Sequence, residues 1–495
     1  MRVNLQQNAT VQFRVLSDDQ CEQVVLAAME VLERVGADFH EPAAVGILKR
    51  AGAIVADGTR VRIPPGLVEQ ALHSAPSRFT LFKRTGEPFI KVEPHRAYFG
   101  PGPTCPNFTD PDTGQRRPFV KQDAAWTARV CAALPNIDYV MSLGSINDVP
   151  PGKADVHEFD AMARETTKPI MSWSFSRESL VQIHEMCVAV KGSEGAYAEA
   201  PFMIFYAEPS SPLKHTSEAL QKLMYCAEHR IPIVYTPCPI GGATAPATLA
   251  GILVQNLAET LGGVVLSQAI QPGAPIVVGG VVSIFDMRTT ILSYGAPELS
   301  LLSAAATEVA RRLGLPMFST AGCTDSKCAD EQAAIEGSVS ILIAAMSGAN
   351  LIHDVGFIES AMTGSLDQLV MCDEIIGMAR RVTRGIRVDE EALAVEAIAE
   401  AAETRQYLDL DHTAANFRRE FWFPRLMDRS RYGEWVEGGR KTLADRVRQT
   451  VRRLIAEHRA APLDSEAAAR LDASAGAGAK RGPTTEGRRR RRVTS

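Results

Sequence analysis

LPMFSTAGCTDSKCADEQAAIEG, residues 315–337, runs on through SILIAAMSGANLIHDVGFIES, residues 340–360, to LDQLVMCDEII, residues 366–376. The stretch reads as strand, loop, helix, strand, loop, helix. Pro316–Thr320 is short and apolar and ends in small polar residues. Asp330–Ser347 sets Ala, Ile, Val and Leu at helical spacing. Leu351–His353 is a second strand and Leu366–Met378 a second helix. Polar groups gather just after each strand: Thr324, Asp325, Ser326 and Lys327 in one loop, His353, Asp354 and Glu359 in the next. In a parallel barrel this edge is where chemistry is done.

Upstream the same beat recurs. Strands are expected at Ala97–Phe99, Asp138–Leu143, Pro169–Trp173, Pro201–Tyr206, Pro232–Thr236 and Pro275–Val278, each followed by a helical pattern. With the two units above, that makes eight strand–helix units. Near-continuous apolar strands imply a parallel sheet covered on both faces. Eight such units fit a closed (β/α)8 TIM barrel over residues 96–387, with an open doubly wound sheet as the alternative. Residues 1–95 form an N-terminal cap, in which Ser17 and Gln20 make a capping box. Residues 388–458 form a C-terminal helical extension expected to bury Trp422 and Trp435. Residues 459–495 turn to Ala, Gly, Asp and Ser, end in an arginine run, and are expected to be a disordered basic tail.

The chain of 495 residues is 45% hydrophobic and 22% charged, with ample length for a large core. A formal net charge of -5 argues against nucleic acid as a partner of the folded body. The nine cysteines are scattered, which reads as a reducing cytoplasm. Met1–Arg14 lacks the apolar core of an export signal. The apolar stretch Leu261–Phe285 is interrupted by Gln268, Gln271 and Pro272, so no membrane span is expected there.

TPCPIGGATAPATLAG (Thr236–Gly251), the stretch containing GCTDSKCADEQAA and GANLIHDVGFIES, and the segment WFPRLMDR (422–429) together resemble the trimethylamine methyltransferase family, the MttB-type proteins. The resemblance runs from the cap to about His458. It implies a (β/α)8 barrel that moves a methyl group from a methylated amine to the cobalt of a corrinoid held by a separate protein, chemistry used in methanogenesis. The archaeal trimethylamine enzymes carry pyrrolysine at a catalytic position, whereas every residue here is a standard amino acid. That points to the non-pyrrolysine members, some of which demethylate quaternary amines such as glycine betaine. The chemistry agrees. A quaternary ammonium already carries a good leaving group, a neutral tertiary amine, so orientation and desolvation suffice. Such a cation needs an aromatic or anionic cage.

Aromatic residues make up 6% of the chain, and several fall at predicted strand ends. Phe99, Trp173, Phe175, Tyr206 and Tyr235 are the candidate cage, and Glu208 a candidate counter-charge. Plugs for the barrel top or, for Glu208, a solvated loop position are the plainer readings. His353 is a candidate for holding a betaine carboxylate or the corrinoid tail, or else a satisfied core histidine. Asp325 and Lys327 are expected to pair and shape their loop; a buried Lys327 would instead be an amine nucleophile. Gly241 and Gly242 are candidates for close approach of a corrinoid macrocycle, or simple turn glycines. Cys323 and Cys328 do not match zinc-ligand spacing, so no metal site is expected. The leading reading is a corrinoid-dependent amine methyltransferase, able to form homo-oligomers. A Schiff-base lyase or aldolase using Lys327, and a quaternary-amine-binding protein without turnover, stand beside it.

Overall fold

The computed structural model describes residues 11–150 and 152–476. Its centre is a curled sheet of seven parallel strands: β1 (Tyr98–Phe99), β2 (Ile170–Ser172), β3 (Met203–Ala207), β4 (Ile233–Tyr235), β5 (Ile276–Gly279), β6 (Met317–Thr320) and β7 (Leu351–His353). The spatial order is β1-β7-β6-β5-β4-β3-β2, and every pairing in it is parallel. Side chains alternate across each strand. Met171, Ile204, Val234, Val277, Phe318 and Leu351 meet on the concave side, in one buried cluster with Tyr139 and Met141. Their neighbours face outward to the helices. An antiparallel hairpin, Phe79–Phe82 with Pro88–Val92, closes the N-terminal end of the sheet. It sinks Leu81, Ile90 and Val92 into the same cluster and bonds backbone to backbone with Pro201 and Thr167, just before β3 and β2.

The expected eighth strand, Asp138–Leu143, is not a ladder strand. It runs between the two sheet edges and makes two backbone bonds to one and one to the other. On one side Val140 N donates to Pro169 O (3.0 Å) and Val140 O accepts from Met171 N (2.9 Å); on the other Asp138 N donates to Phe99 O (2.7 Å). Leu143 at φ 72° leaves the extended region, which ends any ladder there. The eight-strand expectation is therefore corrected to seven strands plus one irregular bridging segment. The rim carries two small sheets that the strand–helix reading did not contain. One joins Asn107–Thr109, Arg116–Pro118, Phe357–Ile358 and Thr363–Gly364, the other Ile240–Gly241, Ser283–Asp286 and Ile291–Leu292.

The helix Leu249–Ile270 is long and apolar enough to cross a membrane, but most of it is buried inside the molecule. The reason is the cap. Helices Asp18–Glu30, Pro42–Ala51 and Pro65–Ser74 pack on the face that would otherwise meet water, and a helix apolar all round is a covered one. Ser17 and Gln20 do form a capping box. The cap is also sewn to the body: Ala37–Phe39 pairs in parallel with Lys214–His215, and Phe39 stacks on His215 at 4.2 Å.

The C-terminal region departs from expectation in three places. The helix expected over Glu390–Ala402 breaks at Ala394 (φ 53°) into two. Trp422 and Trp435 are half-buried rather than buried. Ser465–Gly476, inside the stretch expected to be disordered, is a helix that packs on Arg177–Lys191 with Ala467 and Leu471 buried. Ala467 and Leu471 are four residues apart, so they share one face. Arg164 holds Asp472 at 2.7 Å, and the Arg84 guanidinium donates to the carbonyls of Ala461 and Pro462. The arginine run Arg488–Arg492 lies outside the described residues. Leu471→Ala should therefore cost about 2 kcal/mol or more, read as a lowered denaturation midpoint. An unchanged midpoint would contradict docking of this helix.

Candidate active site

The strand register puts one more layer of inward positions above the core. Two residues beyond each core side chain lie Trp173, Tyr206, Thr236, Gly279, Thr320 and His353, with Glu208 two residues further along its strand end. These positions ring the C-terminal mouth of the curled sheet, the catalytic edge of parallel barrels. Phe318, Tyr206 and His353 form its aromatic wall. Phe318 stacks on His353 at 4.1 Å, and Tyr206 lies 5.6 Å from Phe318 and 6.0 Å from His353, centroid to centroid.

His353 has one ring nitrogen hydrogen-bonded and the other beside a carboxylate. Nε2 is 2.9 Å from Thr320 Oγ1. Nδ1 is 2.7 Å from Asp354 Oδ1, close enough to pair but not aligned as a hydrogen bond. Asp354 is 1% exposed and sits at φ 70°, a left-handed conformation that Asp tolerates better than most residues. Its second oxygen, Oδ2, is buried without a hydrogen-bond partner, as are the Tyr139 and Thr236 hydroxyls. Buried polar atoms are normally satisfied, so an orphaned carboxylate oxygen asks for a ligand or an ordered water. A Cβ at Gly102 would fall 2.1 Å from Asp354 Oδ1. This close approach explains that glycine.

Glu208 faces Asp354 across the wall and accepts a short hydrogen bond from the Tyr206 hydroxyl. It keeps surface open to water, yet protein surrounds it closely enough that burial pushes its carboxyl pKa up. The Tyr206 hydrogen bond and His353 act in the opposite sense, and Asp354 adds to the rise. Open surface within a tight enclosure describes a group lining a cavity. Burial likewise pushes the Tyr206 hydroxyl well up, so it stays a neutral donor.

The sequence reading missed Glu158. This residue is buried in the helix Ala154–Glu165 and receives Trp173 Nε1 at 2.9 Å and Ile146 N at 3.0 Å. It thereby fixes the indole plane. Phe175 meets Trp173 edge-on at 4.7 Å and is 48% exposed, at the rim. The available signal was a glutamate sharing its helix face with the apolar Ala154, Ala161 and Met162.

Other expected site residues do not converge here. Tyr235 and Phe99 point outward from their strands into the helix layer. The Tyr235 hydroxyl bonds His215 Nδ1 at 2.8 Å, and its ring lies against Gly263. Lys327 is exposed and donates to the Asp325 carbonyl at 2.8 Å. The expected side-chain pair is therefore absent, and so is the desolvating pocket that an amine nucleophile needs. The Asp325 carboxylate staples loops together instead, accepting from Tyr294 N and Ser360 Oγ, each at 2.8 Å. A Cβ at Gly241 would meet the buried Ile252, and one at Gly242 the end of the exposed Met287. Gly242 serves its turn at φ 85°.

Two other cavities lie away from the strand ends. One, about 20 Å³, is an apolar packing gap between the helix Leu249–Ile270 and β5 and β6. The other, about 240 Å³, lies on the outer helix layer beside His184, Glu194, Tyr225, His229 and Arg470.

Burial pushes the Glu158 carboxyl up to about 8 from an ordinary 4.5. The folded chain therefore keeps a proton that the unfolded chain releases between these values. The stability linked to it is full below pH 4.5 and is lost as the pH rises through about 8. Glu158→Gln should flatten the fall in denaturation midpoint over this window and loosen Trp173, read as a red-shifted tryptophan emission. An unchanged pH slope would contradict a protonated Glu158.

A family model described as trimethylamine methyltransferase (MTTB) matches residues 2–476. The glycine betaine methyltransferase of Desulfitobacterium hafniense (strain Y51) is 30% identical over 465 residues, 93% of this chain and 96% of the relative. The trimethylamine methyltransferase MttB of Methanosarcina barkeri (strain Fusaro / DSM 804) is 32% identical over 466 residues, 92% of this chain and 93% of its own. Among solved structures, the Methanosarcina barkeri monomethylamine methyltransferase (MtmB) superposes with a TM-score of 0.51 at 12% identity, covering 90% of each chain. That likeness concerns the fold. The family match over nearly the whole length, with relatives at this identity, makes the chain a methyltransferase belonging to the trimethylamine methyltransferase (MTTB) family.

Proposed function

We propose that this chain transfers a methyl group from a quaternary methylated amine to cobalt(I) of a corrinoid carried by a separate protein. The observation that carries the reading is the group of side chains at the mouth, where the carboxylates of Asp354 and Glu208 stand beside the rings of Phe318, Tyr206 and Trp173. A cation without N–H groups gains from anionic charge and from aromatic faces, and needs no hydrogen-bond acceptor aimed at its nitrogen. The C–N bond breaks with its electron pair going to nitrogen, and a neutral tertiary amine leaves. The two electrons of cobalt(I) form the new bond to carbon. No proton moves, so no side chain has to act as acid or base. In this reading the group forms a pit whose role is to hold the ammonium, exclude water and point one methyl outward.

The corrinoid is the methyl acceptor, a second substrate brought by its own protein. The rim suits such an approach. Phe175, Met287, Ile291 and Met362 are exposed on loops that follow β2, β5 and β7, an apolar fringe around a polar opening. In this reading residues 138–143 complete the ring of strands, so the pit has a continuous wall. Phe175 belongs to the fringe, and His353 positions Asp354 rather than binding substrate itself. The nine unpaired cysteines suit a cytoplasmic enzyme.

Incubation with cobalt(I) cobalamin, or with a corrinoid protein, should give the absorbance of methylcobalt(III) from at least one quaternary amine among glycine betaine, carnitine, proline betaine, choline and tetramethylammonium. Trimethylamine should give none. Tyr206→Ala and Trp173→Ala should each weaken ammonium binding by ~0.5–2 kcal/mol. Methyl transfer from trimethylamine alone would overturn the assignment.

A further inference from the structure

The charge pattern of the mouth pit narrows the substrate further, and the argument rests on the reading just given. A betaine brings a carboxylate close to its ammonium, and that carboxylate needs a cationic or N–H partner. Among the described residues no lysine or arginine pairs with Glu208 or Asp354. The inward positions at the strand ends hold Trp173, Thr236, Gly279, Thr320 and His353 besides Glu208, and only His353 among them is basic. Its Nε2 is taken by Thr320, and its Nδ1, which makes no hydrogen bond, lies 2.7 Å from Asp354 Oδ1, so a substrate carboxylate reaching for it meets the Asp354 carboxylate as well.

The cations around the mouth make their hydrogen bonds and ion pairs away from Asp354 and Glu208. Lys222 acts on Glu208 from behind the wall, but its Nζ donates to the Ser174 carbonyl at 2.8 Å. On the rim, Arg116 pairs with Glu359 at 2.8 Å and Lys327 with the Asp325 carbonyl. The pit does offer acceptors. Asp354 Oδ2 has no partner although the residue is 1% exposed. Its field reaches Glu208, Tyr206, Tyr294 and Tyr139, which surround it.

We propose that the pit takes a quaternary ammonium that carries no carboxylate, choline or a simple tetraalkylammonium, and discriminates against betaines. The ammonium lies against the rings of Phe318 and Tyr206, beside Glu208. A hydroxyl on the substrate donates to Asp354 Oδ2, the acceptor the fold leaves open. A carboxylate in the same place meets two like charges and no cation aimed at it, only the Thr236 and Tyr139 hydroxyls, and a charged group buried without a matching partner is what makes such discrimination large.

Choline and glycine betaine are nearly equal in size and differ in a hydroxymethyl against a carboxylate, so they isolate the term. Calorimetric titration of the full chain with each, without any corrinoid, should show choline bound at least tenfold more tightly. Glu208→Gln and Asp354→Asn should each shrink that ratio, choline losing affinity while betaine holds or gains. Asp354 is buried in a strained turn, so should its variant not fold, Glu208→Gln on the cavity wall carries the test. Betaine binding as tightly as choline, equal losses for both ligands in Glu208→Gln, or no binding of either would overturn the proposal. Because no methyl transfer is measured, betaine preferred in the titration together with methylcobalt formed from betaine would sink this inference and leave the proposed reaction standing.

Discussion

A carboxylate with one oxygen in use and the other bare governs the mouth of this fold. Asp354 follows the last strand at φ 70°, puts Oδ1 beside His353, and leaves Oδ2 without a partner. Burying such a group is costly unless something pairs with it. The surroundings are shaped to keep it in place. Gly102 leaves the room that a Cβ would fill, and Thr320 holds the far side of the imidazole. A fold that spends stability in this way at the catalytic edge of its sheet is one prepared for a ligand.

The rest of the molecule supports that edge. The hairpin at residues 79–92 closes the opposite end and the cap shields the long helix Leu249–Ile270. Neither contributes chemistry. Glu158 acts at one remove, turning Trp173 through its indole N–H. Asp325 does the same for loops, tying those after β5 and β7 to its own. Function thus concentrates in one layer of side chains, with a second layer holding it still.

Much of this was legible from sequence, and the failures share a cause. The seven ladder strands and the eight helices that follow the units fall close to where apolar runs and helical spacing put them. What periodicity cannot give is which way a strand residue points when both faces are buried. Tyr206 and Tyr235 look alike in sequence, but Tyr206 is in step with inward Ile204 while Tyr235 is one residue out of step with inward Val234. A one-residue offset moves a side chain to the other face. Residues 138–143 read as a strand because they are apolar; the turn at Leu143 depends on distant packing, such as Phe119 against Gly144. The helix at residues 465–476 was hidden by its Ala-rich composition, although Ala467 and Leu471 carry the spacing of one buried face.

The central claim is that the amine nitrogen sits in the mouth pit. A crystal structure with tetramethylammonium tests it most directly, since the cation has no orientation to misread. The account predicts density in contact with the rings of Phe318 and Tyr206, beside the carboxylate of Glu208, with Asp354 unmoved. An empty mouth, with the cation instead in the outer cavity beside Tyr225 and His229, would contradict it.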